Sequence, residues 1–282
     1  MTSRYRIQHT SHYEYDRSVA ASFNEARLTP LQTAWQTRLE STLQIEPTTW
    51  HYRYTDYWGN DVRVFEANGA HRALEIRSTS LVEVDASRRP APSDLTWAEV
   101  RDDTVRDDFV EYVVQTAATE PPLELSDLAE SIAADNPPAI AARLISDAVH
   151  DALTYVVGAT EVQTTAAEAW AARSGVCQDY AHLVVGALRH VGMPARYVSG
   201  YLHPASVPEI GDTAQGESHA WVEWWLGEWT AYDPTNAAVV AERHVMIGTG
   251  RDYTDIPPIK GIVAGPHRTT GLTVTVELTR LA

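Results

Sequence analysis

Cys177 is the only cysteine in a chain of 282 residues. It stands in the run Ser174-Gly175-Val176-Cys177-Gln178-Asp179-Tyr180-Ala181-His182. A histidine follows in Ser218-His219-Ala220-Trp221-Val222-Glu223, then an aspartate in Tyr232-Asp233-Pro234-Thr235-Asn236. A thiol, an imidazole and a carboxylate in three distinct local contexts are the set that nucleophilic acyl transfer requires. The sulfur attacks, the ring moves the proton, and the carboxylate orients the ring. A free thiol has a pKa of about 8.5, so the chemistry also needs an environment that favours the thiolate.

The surrounding sequence supplies such an environment. From Cys177 onward, Tyr180, Leu183, Val184, Ala187, Leu188 and Val191 recur at three- and four-residue spacing. That is the apolar stripe of a helix packed on a core. Gly192 stops it, and Pro194 lies just beyond. Upstream, Thr165 and Glu168 match a capping box for a short helix that Gly175 is expected to end. Cys177 thus falls in the first turn of a new helix. Unpaired backbone amides there lower a thiol pKa and can hold a developing oxyanion.

The other two groups belong to strands. His219–Trp225 and Trp229–Asp233 read as a hairpin rich in tryptophan and valine. A three-residue loop, Trp225-Leu226-Gly227, with Gly227 in the left-handed position, would set His219 directly opposite Asp233. Their Cβ atoms would then be roughly 5 Å apart. A two-residue loop would put them on opposite faces.

Each residue has a plainer role when taken alone. A lone cysteine in an alanine-rich helix packs as a small hydrophobe, a histidine in a tryptophan strand can belong to the core, and Asp-Pro-Thr marks turns. Their order and contexts favour the catalytic combination. His182, in the same helix as Cys177, points roughly 140° away from it and reads as structural. His9 and His12 have no predicted partner and read as sheet residues. The four tryptophans between 221 and 229 read as core before cleft lining. One cysteine and no paired histidine spacing leave zinc signatures missing, as are phosphate and dinucleotide loops, so no metal or cofactor is expected.

The net charge of −16 argues against nucleic acid or an anionic membrane as partner. The acidic residues crowded between Asp94 and Asp108 read as a solvated face. No apolar run follows the start and none reaches membrane-spanning length, so neither a secretory signal nor a span is expected. A single cysteine with catalytic potential suits a reducing, cytoplasmic location.

Along the chain, Arg4–Tyr15, Arg38–Ile45, Trp50–Tyr57, Val62–Ala67 and Ala73–Asp85 read as strands of a sandwich-like β-region. Arg88-Arg89-Pro90-Ala91-Pro92-Ser93 reads as a linker. Helical stripes follow at Val105, Phe109, Tyr112 and Val113 and, opened by Pro137-Pro138, at Ile140, Leu144, Ile145, Ala148 and Val149. Leu272–Leu281 alternates as a closing strand. The expected organisation is an α+β chain with an N-terminal β-domain at 1–90, a linker and helical segment at 91–155, and a catalytic core with its closing strand at 156–282.

Several of these segments resemble a known family. Gly-Val-Cys-Gln-Asp-Tyr-Ala-His (175–182), Met-Pro-Ala-Arg-Tyr-Val-Ser-Gly-Tyr-Leu (193–202), Ser-His-Ala-Trp-Val-Glu (218–223) and Asp-Pro-Thr-Asn (233–236) are similar to core motifs of the transglutaminase-like superfamily. That superfamily holds transglutaminases, microbial cysteine proteases and peptide N-glycanases. His-Thr-Ser-His-Tyr-Glu-Tyr (9–15), Asn-Glu-Ala-Arg-Leu-Thr-Pro (24–30) and Asp-Tyr-Trp-Gly-Asn (56–60) resemble the N-terminal β-domain of its bacterial members. Gly-Arg-Asp-Tyr-Thr-Asp (250–255) resembles their C-terminal segment. One departure is Ala237, where the pattern leads one to expect glycine.

The resemblance implies a papain-like α+β core with the nucleophile helix packed on an antiparallel sheet. It also implies Cys177 as nucleophile, His219 as base and Asp233 as orienting acid, acting on a peptide or protein. The expected activity is protease- or amidase-like cleavage through an acyl-enzyme thioester. The alternatives are protein-glutamine acyl transfer, acyl transfer from a small-molecule thioester, and a non-catalytic peptide- or protein-binding module that keeps the fold.

Overall fold

The computed structural model describes residues 2–216, 218–266 and 268–282. Its first part is a seven-stranded antiparallel sheet. This contains β1 (Thr2–Ala26), β2 (Gln36–Glu46), β3 (Trp50–Thr55) and β4 (Asp61–Asp85). β1 runs well past its expected end at Tyr15. The two runs read at 62–67 and 73–85 are one strand, β4. It stays paired with β1 through irregularities between Glu14 and Ala21, where the sheet takes up the mismatch as bulges. Leu43 and Ile45 of β2 pack against the same apolar cluster as Ile259 and Val263 near the C-terminus.

Next come short helices α1 (Trp97–Val100), α2 (Asp103–Asp108) and α3 (Val110–Val113), then α4 (Leu123–Asp135) and α5 (Pro138–Ala152). The acidic side chains of Asp102, Asp103, Asp107 and Asp108 are exposed, as expected of a solvated face. A two-stranded parallel pair, β5 (Thr154–Tyr155) and β6 (Ser174–Gly175), flanks α6 (Ala166–Ala172), and α7 (Cys177–His190) follows at once. Thr165 and Glu168 do form the capping box of α6. That helix ends earlier than expected, however: Arg173 takes the left-handed cap at φ 51°, and Gly175 is left to the strand.

The remaining strands are β7 (Ala195–Leu202), β8 (Thr213–Gly216), β9 (Ser218–Trp225), β10 (Trp229–Asp233), β11 (Ala238–Val239), β12 (His244–Gly250), β13 (Ile259–Ala264) and β14 (Thr269–Arg280). Five form a second sheet in the order β11-β10-β9-β7-β12. One side of it meets the helices: Ala195, Tyr197, Ala220, Val222 and Trp224 join Leu183, Val184 and Leu188 of α7 in one core. The other side meets the first sheet, where Val198, Trp221 and Val245 pack with Tyr5, Ile7, Val82 and Val84. The closing strand does not belong with the second sheet. β14 lies between β1 and β8, and β13 also pairs with β1, so residues 259–280 complete the sheet begun by the N-terminus.

Candidate active site

Cys177 is the first residue of α7 and is partly exposed. Val176 has no side chain able to cap the helix, so Asp179 does this instead. Its Oδ2 accepts the Val176 N–H at 2.7 Å and the Thr160 hydroxyl at 2.6 Å. Burial pushes the Asp179 carboxyl up from its ordinary value, and these two bonds oppose the shift. Gly175 makes the arrangement possible: a Cβ there would sit 2.7 Å from Asp179 Oδ2. The N–H groups of Cys177 and Gln178 open the helix and have no intrahelical acceptor.

His219 lies on β9, opposite Gly200 of β7. Its Nε2 donates to Asp233 Oδ2 at 2.8 Å, and the Cys177 side chain lies close enough to act on the ring electrostatically. With Nε2 taken by the carboxylate, Nδ1 is the nitrogen left for the thiol. The three groups singled out in the sequence are therefore brought together in one place. Burial alone would depress the His219 imidazole. The bond to Asp233 and the nearness of Cys177 outweigh it and push the pKa up to about 10. Burial likewise favours the neutral form of Asp233, yet the bonds from His219 and His244 hold its carboxyl well below the usual range.

The hairpin register differs from expectation by two residues. Trp225 pairs with Trp229 and Val222 with Tyr232, so the loop is Leu226-Gly227-Glu228. Gly227 is left-handed, with φ 77°, but sits in the middle of the loop. The cause is tertiary: Leu226 is buried in the helical core, and its carbonyl accepts the Ser93 N–H at 2.8 Å. A shift of two preserves facing, so His219 and Asp233 stay on the same face as diagonal neighbours.

Sequence reasoning missed what surrounds Asp233. His244 of β12 is fully buried, and its Nε2 donates to Asp233 Oδ2 at 3.2 Å. Its Nδ1 accepts the Ala241 N–H at 3.2 Å, which fixes the Nε2–H tautomer. Burial holds this second imidazole below its ordinary pKa, the bond to Asp233 opposing. Asn236 Nδ2 adds a third donor to Oδ2 at 2.8 Å, while Oδ1 accepts the N–H groups of Thr235 and Asn236. The turn is also held from α5, where His150 Nδ1 donates to the Pro234 carbonyl at 3.0 Å and Asp147 accepts the Tyr232 hydroxyl at 2.8 Å. His219, Asp233 and His244 bring three ligand-type atoms within 4.8 Å. Those same atoms are spent on one another: Nε2 of His244 carries a proton, and Oδ2 accepts three donors. The set is built as a hydrogen-bond network and leaves no lone pairs aimed at a cation.

The remaining sequence candidates lie elsewhere. His182 is buried, its Nε2 accepts the Tyr253 N–H at 3.1 Å, and burial lowers its pKa to about 4. That is a structural, neutral histidine, as expected. His9 is a sheet residue of β1, as expected, and has partners the sequence did not indicate: its Nδ1 meets the Tyr201 hydroxyl at 2.9 Å and its Nε2 meets Ser11 Oγ at 3.0 Å. His12 lies near Glu14 and Glu75. Trp221 and Trp224 are buried core, and Trp225 and Trp229 pack on Phe109. A cleft of about 460 Å³ opens beside His219, and its lining includes Gln215, Gly216 and Ser218 together with Val274, Thr275 and Val276 of the neighbouring strand.

Two family models match the chain: the bacterial transglutaminase-like N-terminal region over residues 5–83 and the transglutaminase-like superfamily over residues 126–234. An uncharacterized protein of Mycobacterium leprae is 41% identical over 279 residues, covering 99% of both chains. A protein-glutamine gamma-glutamyltransferase of Pseudomonas aeruginosa is 44% identical over 69 residues, 22% of this chain and 10% of its own. A solved Cytophaga hutchinsonii protein, described as a candidate cysteine protease, superposes with a TM-score of 0.76 at 21% identity, covering 100% of this chain and 92% of its own.

Proposed function

The chain belongs to the transglutaminase-like superfamily and carries the bacterial transglutaminase-like N-terminal region ahead of the core, and from that premise we propose that it is a thiol enzyme acting at amides of peptides or proteins through Cys177, His219 and Asp233. The observation that carries this reading is one imidazole bonded to a carboxylate and set beside the only thiol in the chain. His219 takes the thiol proton, and Asp233 stabilises the imidazolium that results. The thiolate adds to the amide carbonyl, and the N–H groups at the start of α7 receive the oxyanion. Collapse breaks the C–N bond, the imidazolium gives its proton to the leaving amine, and a thioester remains on Cys177. Water then attacks as His219 takes its proton, which releases the acid and the free thiol.

An amine in place of water gives transamidation by the same steps. The Pseudomonas aeruginosa relative, matched over a short segment, favours keeping this as the second reading. Incubating the protein with a peptide mixture and weighing it intact tests the proposal. The expected result is an acyl adduct on Cys177 that Cys177→Ala lacks and that added amines or water discharge. No adduct, with Cys177 alkylated no faster than a model thiol at pH 6, would leave a binding module that keeps the fold.

A further inference from the structure

β14 is paired with β1 along nearly its whole length, but with β8 only from Val276 to Thr279. Among the described residues, its other edge from Thr269 to Thr275 has no strand beside it. The direction of its backbone groups follows from two bonds. The Leu281 N–H donates to Arg4 of β1 at 2.7 Å, and the Arg280 N–H donates to Asp212, ahead of β8, at 3.0 Å. An antiparallel strand alternates, and β14 is regular from Gly271 to Arg280. Even-numbered residues therefore aim their N–H and C=O away from β1. The groups of Leu278 and Val276 meet β8, while those of Val274 and Leu272 point past its end, where the cleft beside His219 begins.

The side chains fit the same picture. Leu272, Val274, Val276 and Leu278 share a face. Val276 and Leu278 are 2% and 0% exposed, whereas Val274 and Leu272 are 47% and 54% exposed. One apolar stripe thus runs out of the core into the cleft. The open edge reads Thr-Thr-Gly-Leu-Thr-Val-Thr, with no charge and no proline. Other edges of this sheet carry charge, as in Arg38 and Glu40 of β2, Arg53 of β3 and Lys260 of β13. Proteins usually blunt an exposed edge with such residues.

We infer that the substrate is an extended peptide segment that adds as a strand to the free edge of β14 beside β8, so that main-chain pairing delivers its amide to Cys177. This rests on the function proposed above and deepens it: the substrate class becomes unfolded or extended chain, not a compact small acyl donor. The N-terminal sheet then supplies the substrate-binding wall of the site.

The test compares turnover of fluorescein-labelled casein, an unfolded chain, with turnover of p-nitrophenyl acetate. Val274→Pro deletes an outward N–H and leaves the bonds to β1 intact. It is expected to lower the casein-to-ester ratio of kcat/KM at least tenfold. Val274→Thr keeps the N–H and the branched shape and is expected to restore the ratio. Should Val274→Pro fail to fold, Val274→Lys places a charge on the same edge and is expected to lower the ratio likewise. An unchanged ratio in the proline or lysine variant overturns the inference, as does an equal loss in the threonine variant, which would mark an apolar pocket. So does a wild-type dimer that Val274→Pro dissociates, because the edge then serves a second copy of the chain. Ester turnover without casein turnover overturns the inference alone, whereas absence of both overturns the catalytic reading beneath it.

Discussion

The carboxylate of Asp233 is the most heavily bonded group near the thiol, with five donors on its two oxygens. Replacing it by Asn leaves the shape but removes the charge that holds the His219 proton. The expected effect is a loss of roughly 10³- to 10⁴-fold in acylation rate, read from adduct formation on Cys177. A stability signature accompanies it. The His219 pKa is raised to about 10 in the folded state, so its contribution is complete below the unfolded value of about 6.5 and is lost as pH climbs through about 10. The melting-temperature gap between wild type and Asp233→Asn is therefore expected to be widest near pH 6 and to narrow toward pH 10. A gap that widens with pH contradicts the assignment. His244→Phe keeps an aromatic ring, removes the donor to Asp233 and leaves the Ala241 N–H without its acceptor, and the lost bond to a charged group alone is on the order of 1.5–3 kcal/mol. The expected outcome is slower alkylation of Cys177 at pH 6 with little change in KM. Cys177, His219 and Asp233 were legible because each sits in a distinct motif. His244 was not, since Arg243-His244-Val245 reads as ordinary strand until β12 pairs with β7 some forty residues earlier.

At the scale of single elements, the start of α7 and the turn after β10 decide whether Cys177, His219 and Asp233 stay together. Gly175 leaves room for the Asp179 carboxylate that caps α7. Gly175→Ala is expected to cost roughly 1–3 kcal/mol from overpacking and to slow alkylation of Cys177, both measurable on the purified variant. The turn holding Asp233 includes Ala237 at φ 45°, a left-handed conformation that disfavours any Cβ. Ala237→Gly is expected to stabilise the protein by roughly 0.5–1 kcal/mol in chemical denaturation, the relief of strain exceeding the extra entropy of glycine. The departure from glycine at this position was visible in the sequence, and the strained backbone is its structural consequence. The hairpin register was only half legible: Gly227 signalled the left-handed residue, but burial of Leu226 and its bond to Ser93 chose the loop. Local turn chemistry fixed which face His219 and Asp233 share, and a contact from the linker fixed their offset.

Across the whole molecule, the expected division at about residue 90 is crossed twice, by packing and by strand pairing. Helix stripes and strand alternation are local periodicities, so the sequence disclosed the elements. Nothing local announces that a strand ending at Arg280 pairs with one beginning at Thr2. The apolar layer between the two sheets draws on both ends of the chain, with Ile7, Val84, Trp221, Val245 and Leu278 in one cluster. Burial shared in this way couples the halves, because unfolding either strips the other of its cover. Ile7 is 2% exposed and lies far along the chain from Cys177. Ile7→Ala is expected to cost about 2–5 kcal/mol through the cavity it leaves. If the sheets unfold as one unit, loss of far-UV circular dichroism and exposure of Cys177 to a bulky maleimide should shift together to lower temperature by the same several degrees. Two separate transitions, with Cys177 protection unmoved by the substitution, would mean that the N-terminal sheet is an independent appendage and that its edge beside the cleft is held there too loosely to position a substrate.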